Sequence, residues 1–277
     1  MSVSGAGVGR IALVGNLALD RVAGGAPRVG GGVFWAARAA AHVGVGVAVA
    51  TRCAPADRAV ALAPLEALGV PVVCGDARRT TAFSFHYEGD HRVMTVDAVG
   101  DPWTPDDVMG WAAPALERAE CVMVAGLLRS DFPPETVAAL AADGRRVLLD
   151  AQGIVRLGRT GPLAQDADVD PAVLGEVAIL SLNEDEAGAL VGSLDPGRLR
   201  ALGLPEVLLM LGSRGAVVVT QDEAVEILSH PATGAIDPTG AGDSFSLVYL
   251  DGRARGAEPV EAADRAARAV AELISRP

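Results

Sequence analysis

The sequence predicts an α/β fold with a mainly parallel sheet covered by helices on both faces. Three observations carry that reading. Short apolar or β-branched runs alternate with Ala-rich amphipathic stretches along nearly the whole chain. The runs are apolar throughout, as strands buried on both faces are. Half of the 277 residues are hydrophobic and 21% are charged, which supplies one large core.

Taken in order, IALVG (11–15) reads as a first buried strand. FWAARAAAHVG (34–44) reads as a helix ended by glycine, and VGVAVA (45–50) as the strand after it. ALAPLEALGV leads into the strand PVVCG. WTPDDVMGWAAPALERA (103–119) has a proline and acids at its start and reads as one helix before CVMVAG (121–126). PPETVAALAADG precedes RVLLD (146–150), and EVAILSL runs into the helix NEDEAGALVG. EVLLMLG, GAVVVT and AVEIL complete the strands. One segment differs. TTAFSFHYEGDHRVMTVDA (80–98) alternates with period two around Gly-Asp, which predicts an antiparallel hairpin standing as a flap beside the sheet. No repeat, low-complexity tract or linker interrupts the chain, so 1–277 is expected to be a single domain with the flap around 80–98.

The charge balance narrows the function. At a net charge of −12, nucleic acid and anionic membranes are poor partners. No run approaches the roughly 20 apolar residues of a membrane span. The N-terminal MSVSGAGVGR carries no stretch of signal-peptide length, and GAGVGR precedes its strand instead of following it, so it reads as a frayed terminus. All 23 basic residues are arginine; a Schiff-base lysine and a P-loop lysine are both excluded. Cys53, Cys74 and Cys121 have no metal or redox spacing and read as reduced thiols of a cytoplasmic protein. His42, His86, His91 and His230 have no metal-ligand spacing either; His86 and His91 flank the flap turn, exposed or reaching substrate.

Two glycine clusters lie where chemistry is placed. Gly30–Gly31–Gly32 separates the first strand from the Phe34 helix, as a plain loop or as bare backbone for a ligand. In GAIDPTGAGDSF (234–245), Gly240 and Gly242 open a helix. There, amides converge with no Cβ in the way, and the helix dipole adds positive potential: an anion hole that needs no lysine. Asp243 in that first turn is either a helix-stabilising charge or an acceptor for a hydroxyl proton. Phe34 and Trp35 wall a pocket or face the core; Arg92 and Arg129 meet a phosphate or water.

DPTGAGDSF (237–245) resembles the C-terminal signature of the PfkB, or ribokinase-like, carbohydrate kinases, and the resemblance runs in order along nearly the whole chain. VGNLALD (14–20) is similar to that family's first strand with its substrate-contacting acid, Asp20, and implies Asn16 beside it. GGG matches the family's glycine pair, Gly31 and Gly32. LLDAQ (148–152) resembles the central strand end. NEDE (183–186) is similar to NxxE, implying magnesium held through Asn183 and Glu186. LGSRG (211–215) resembles the nucleotide-side loop with Gly212 and Gly215, beside Thr239. The resemblance implies a three-layer α/β/α ribokinase-like fold with a small, reduced β lid. It also implies ATP and Mg²⁺ as cofactors, Asp243 as general base and Gly240, Ala241 and Gly242 as anion hole. As a partner it implies a small-molecule polyol or sugar, taken by a monomer or homodimer.

Several positions depart from the pattern. So few residues separate Asp20 from Gly30 that the lid strands usual there are expected to be short or missing. Val33 and Ala36 replace the lysine and asparagine of ribose-specific members. Met210 replaces a common threonine, and with the sequence ending at Pro277 part of the usual adenine pocket is expected to be trimmed. Gly15, Asn16, Asp20, Thr80, Thr81, Asp150, Gln152 and Arg156, with the signature, are most similar to the plant inositol-kinase-like branch. That implies a cyclitol such as myo-inositol ahead of ribose. A catalytically silent nucleotide or polyol sensor and a nucleoside kinase are the alternatives.

Overall fold

The computed structural model describes residues 10–88, 91–233 and 238–275. Strands β1 (Ile11–Asn16), β4 (Val47–Cys53), β5 (Val72–Asp76), β8 (Cys121–Val124), β9 (Arg146–Asp150), β11 (Val177–Asn183), β12 (Glu206–Met210), β13 (Ala216–Thr220) and β14 (Ala224–Ile227) form one sheet. Its order is β14-β13-β12-β11-β9-β8-β1-β4-β5. The pairings from β5 across to β12 are parallel; β13 and β14 close one edge antiparallel.

The apolar runs are explained by two cores. Ile11 and Leu13 pack with helices Gly32–Val43, Ala241–Ala254 and Pro259–Ile274, whereas Ala12 and Val14 face Trp103, Phe132, Val137 and Leu140. A strand with apolar neighbours on both faces has no reason to alternate. Because the parallel strands share a direction, β1, β9, β11 and β12 all end at one edge. The chain also reverses its order around β1 there, where open α/β sheets bind ligands.

A second sheet stands over that edge. It contains β2 (Ala18–Val22), β3 (Arg28–Gly30), β6 (Thr81–Glu88), β7 (His91–Ala98) and β10 (Gly161–Pro162), in the order β10-β7-β6-β2-β3. The expected hairpin is β6–β7, antiparallel from Ala82↔Ala98 to Glu88↔His91; its Gly-Asp turn lies outside the described residues. The lid strands expected to be short or missing are of the first kind. The strands between Asp20 and Gly30 are short but present, and β2 extends the sheet by pairing parallel with β6 from Ala18↔Thr81 to Val22↔Phe85. Ala23 (φ 48°) and Gly24 (φ 74°) turn β2 back toward β3. Underneath, Ala18, Phe83 and Val96 pack on Leu127 and Leu128 of the main body.

The segment 103–119 is two short helices, Pro105–Met109 and Ala113–Leu116, instead of one; Gly110 leaves helical angles at φ −97°, ψ −110°. Thr104 and Asp107 cap the first with a reciprocal side-chain–backbone pair. Arg52 ties this unit to the sheet. It is buried between Trp103 and Trp111, 5.4 Å from each ring centre, donates to Pro102 O at 2.8 Å and meets Asp107 at 2.5 Å.

Candidate active site

A cavity of about 490 Å³ opens between the lid and the strand ends. At one end Asp20, Gly31, Gly32, Trp35, Phe83, Met94 and Leu127 line it; at the other, Asn183, Glu184, Glu186, Met210 and Gly212. Between them lie Asp150, Gln152, Arg156 and the stretch from Pro238 to Asp243.

Each glycine of the GGG run has its own reason. A Cβ on Gly30 would sit 2.1 Å from Asp20 Oδ2, so Gly30 leaves room for that carboxylate. Gly31 caps helix Gly32–Val43 at φ 95°, backbone that an L side chain rarely adopts. A Cβ on Gly32 would come within 2.5 Å of Asp243 Oδ1. The two acids expected from the sequence to meet substrate and take the proton are thus seated against glycines of one turn. Gly30→Ala is expected to push the Asp20 carboxylate out of place and raise the acceptor KM about tenfold or more, with a smaller change in kcat. Steady-state kinetics with varied acceptor measure this; an unchanged KM in a folded variant would separate Asp20 from acceptor binding.

Helix Ala241–Ala254 begins at Gly240, whose φ is 77° and where a Cβ would strike Trp35 Cγ at 2.4 Å. Trp35 therefore packs across the signature turn and lines the cavity, while Phe34 packs on the core. Ala241 N donates to Pro238 O at 3.0 Å. Gly242 and Asp243 follow in the first turn, where amides have no intrahelical acceptor. Gly242 differs from Gly240: its φ is not left-handed, and a Cβ there meets no protein atom within 4 Å, so only a ligand would be crowded. Asp237 lies outside the described residues.

The electrostatics centre on Asp243. Its Oδ1 is shut off from solvent and has no hydrogen-bond partner. Burial pushes the carboxyl up to about 6, the Glu186 carboxylate adds to this, and the Arg156 guanidinium pulls the other way. Asp150 is also raised well above its usual range, chiefly by burial and then by Glu186 and Asp243; Gln152 donates to it from N at 3.0 Å and Nε2 at 3.1 Å.

Asn183 and Glu186 form a capping box on helix Glu184–Val191. Asn183 Oδ1 accepts from Glu186 N at 2.9 Å, and Glu186 Oε2 accepts from Asn183 N at 3.0 Å. Glu186 Oε1 accepts from Arg156 Nη2 at 3.3 Å. Among the described residues, no group of three or more His, Cys, Asp or Glu is arranged to hold a metal alone. The oxygen donors still suit magnesium, which keeps several waters and binds through one or two carboxylates plus substrate phosphates.

Other expected site residues fall elsewhere. Asn16 does not line the cavity. It is buried behind it, accepting from Trp103 Nε1 at 2.9 Å and donating to Asp101 O at 3.4 Å. Gly215 is likewise outside the lining: at φ 103° it turns the chain into β13, and a Cβ would meet Ile227 O at 2.0 Å. Thr239 and Gly212 line the cavity. Arg129, a candidate for phosphate, is taken up structurally; it donates to the carbonyls of Ile154, Val155 and Asp166 and to the Asp166 carboxylate. His86 is exposed and does not line the cavity. The three cysteines are free thiols.

Comparison with known proteins agrees with this fold. Residues 19–277 match the family model described as pfkB family carbohydrate kinase. An inositol 3-kinase of Oryza sativa subsp. japonica is 28% identical over 244 residues, 81% of this chain and 56% of the relative. The chain spans about half the length of the curated relatives it matches. Among solved structures, a pyrophosphate-dependent kinase in the ribokinase family, complexed with a pyrophosphate analog and myo-inositol, superposes with a TM-score of 0.83 at 23% identity, covering 96% of each chain. Ribokinase of Arabidopsis thaliana, complexed with ribose and ATP, superposes at 0.69 with 20% identity, covering 96% of this chain and 93% of that one.

Proposed function

The chain belongs to the pfkB family of carbohydrate kinases, and we propose that it transfers a phosphoryl group to a hydroxyl of a small, non-phosphorylated polyol or sugar, a cyclitol such as myo-inositol first. The observation that carries this is the orphaned Asp243 Oδ1, a buried acceptor with a raised pKa at the mouth of a helix N-terminus. An acceptor hydroxyl supplies the proton donor that this oxygen lacks, and its proton leaves to Asp243 as the oxygen attacks. The first-turn amides of Gly242 and Asp243 stabilise the charge on the transferred group. Asp20 accepts from two neighbouring hydroxyls, and as an anion it disfavours an acceptor that is already phosphorylated. Phe83, Met94 and Leu127 exclude water on the lid side. Glu186, with Asn183, would hold magnesium carried by the donor, which supplies neutralising charge on the phosphates.

The donor is read first as ATP. A second reading, pyrophosphate, is favoured by one feature. The donor end is lined by Leu182, Asn183, Glu184, Asp185, Glu186, Met210 and Gly212, of which only Leu182 and Met210 carry large apolar side chains and Leu182 is buried in the core, and Arg214 pairs with Glu184 beside it. A nucleoside base would need more apolar wall than that.

The test is one matrix. ATP and pyrophosphate are each offered with myo-inositol, ribose, a nucleoside, 2-dehydro-3-deoxygluconate and a sugar phosphate, and product is measured by phosphorus NMR. Turnover of a free polyol is expected. Turnover of the sugar phosphate alone would refute the acceptor class, and binding with no turnover of any pair would leave the sensor reading.

A further inference from the structure

We infer that Arg156 is a catalytic residue whose guanidinium grips a non-bridging oxygen of the phosphoryl group in flight; the inference rests on the phosphotransfer reading above. Five buried side-chain atoms among the described residues lack a hydrogen-bond partner: Arg52 Nε, Ser130 Oγ, Asp131 Oδ1, Arg156 Nε and Asp243 Oδ1. Only two belong to residues lining the cavity, and they are complementary: one N–H without an acceptor and one carboxylate oxygen without a donor. An orphaned buried group costs about 1–3 kcal/mol, more when charged, and in a folded protein it calls for an explanation. One bound pair satisfies both atoms, a hydroxyl donating to Asp243 and a phosphoryl oxygen accepting from Arg156.

The surroundings say the same. Three cavity carboxylates, Asp150, Glu186 and Asp243, face a single guanidinium, whose charge acts on both Asp150 and Asp243. Its contact with Glu186 is one end-on bond of 3.3 Å, not a two-pronged clamp, so the fork keeps donors for a second anion. The base of the side chain is fixed. Arg156 ends helix Gln152–Val155 with its N bonded to Gln152 O at 3.2 Å, and its own O accepts from Arg129 N at 2.7 Å. Arg129 also holds the last carbonyls of that helix, Ile154 O and Val155 O. One arginine thus builds the platform and the other reaches the cavity. With no lysine in the chain, arginine is the one side chain that carries a permanent positive charge for this.

The test uses the full chain with Arg156→Met, Arg156→Lys and Arg156→Ala, thermal melts confirming that each is folded. Sulfate, as a tetrahedral dianion, is titrated calorimetrically without donor or acceptor. Sulfate affinity is expected to fall about 10–100-fold in Arg156→Met, less in Arg156→Lys, and to return in Arg156→Ala when guanidinium ion is added. With donor, magnesium and acceptor, kcat is expected to fall about 10²–10³-fold in Arg156→Met, with the acceptor KM little changed. A residue that only braces Glu186 would lower turnover and leave sulfate affinity alone; that result overturns the inference. Should the wild type turn over no acceptor, the kinase reading fails while the sulfate titration still decides for or against Arg156. If Arg156→Met does not fold, Arg156→Lys decides by the same two readouts.

Discussion

Asp243→Asn should lower the transfer rate by about 10²–10⁴-fold while raising the melting temperature at pH 7.5. The rate loss follows from removing the one buried carboxylate oxygen that, among the described residues lining the cavity, has no hydrogen-bond partner. The stability gain follows from the sign of its titration. Folding lifts this carboxyl from 3.8 to about 6, so the folded protein holds the proton more tightly than the unfolded chain. That contribution favours folding fully below the unfolded value and is lost as pH rises through about 6. The neutral amide escapes this loss. Beyond burial, the groups acting on Asp243 are Arg156 and its own backbone N–H, which lower it, and Glu186, which raises it. For the wild type, activity should therefore fall as pH drops below about 6, since the proton acceptor must be ionised. Rates and melts of both proteins across pH 5–8 check this. A variant turning over at the wild-type rate would remove Asp243 from proton transfer.

Gly32→Ala should be nearly as damaging from a single methyl. Its Cβ would lie 2.5 Å from Asp243 Oδ1 and 2.9 Å from Ala125 Cβ. Ala125 follows β8 in the core and cannot retreat, so the carboxylate must swing. A displacement near 1 Å in a reacting geometry costs about 10²-fold. Loss of kcat in a folded protein is expected, against near-wild-type behaviour of Gly188→Ala, a helical glycine whose Cβ meets nothing within 4 Å. A Gly32→Ala enzyme with full kcat would mean that the carboxylate's present seat is not its working one.

What the sequence made legible depended on how local the signal was. Strands such as 11–15 and 146–150 carry their own apolar pattern, and helix 34–44 its glycine stop, so they were readable. The signature turn was readable because glycine before a helix has few other uses. β2 and β3 were not foreseen as paired strands, because ALDRV is held by β6, more than 50 residues away, and RVG in turn pairs only with β2. Helix Pro259–Ile274 escaped notice for another reason: its buried face is Ala262, Ala263, Ala266, Ala267 and Ala271, apolar only weakly, and it depends on Gly252 for close approach. At the site, residue type alone could not choose among 23 arginines. Arg156 stood out only through its place after Asp150 and Gln152, and only folding shows that Arg129, the other candidate, is occupied by carbonyls. Asn16 was misplaced in the same way: its position at the end of β1 was right, but Trp103, 87 residues on, claims its side chain.

The placement of the aromatic rings gives the molecule an optical readout of its own. Of three indoles, Trp103 and Trp111 are held against Arg52 in the interior, away from the cavity, whereas Trp35 looks into it across Gly240. Any change in intrinsic emission on adding a polyol or a phosphate donor then reports mainly on one chromophore, at the boundary between the two halves of the site. Occupancy of the cavity can be followed in real time without a label, and with no turnover needed to see it.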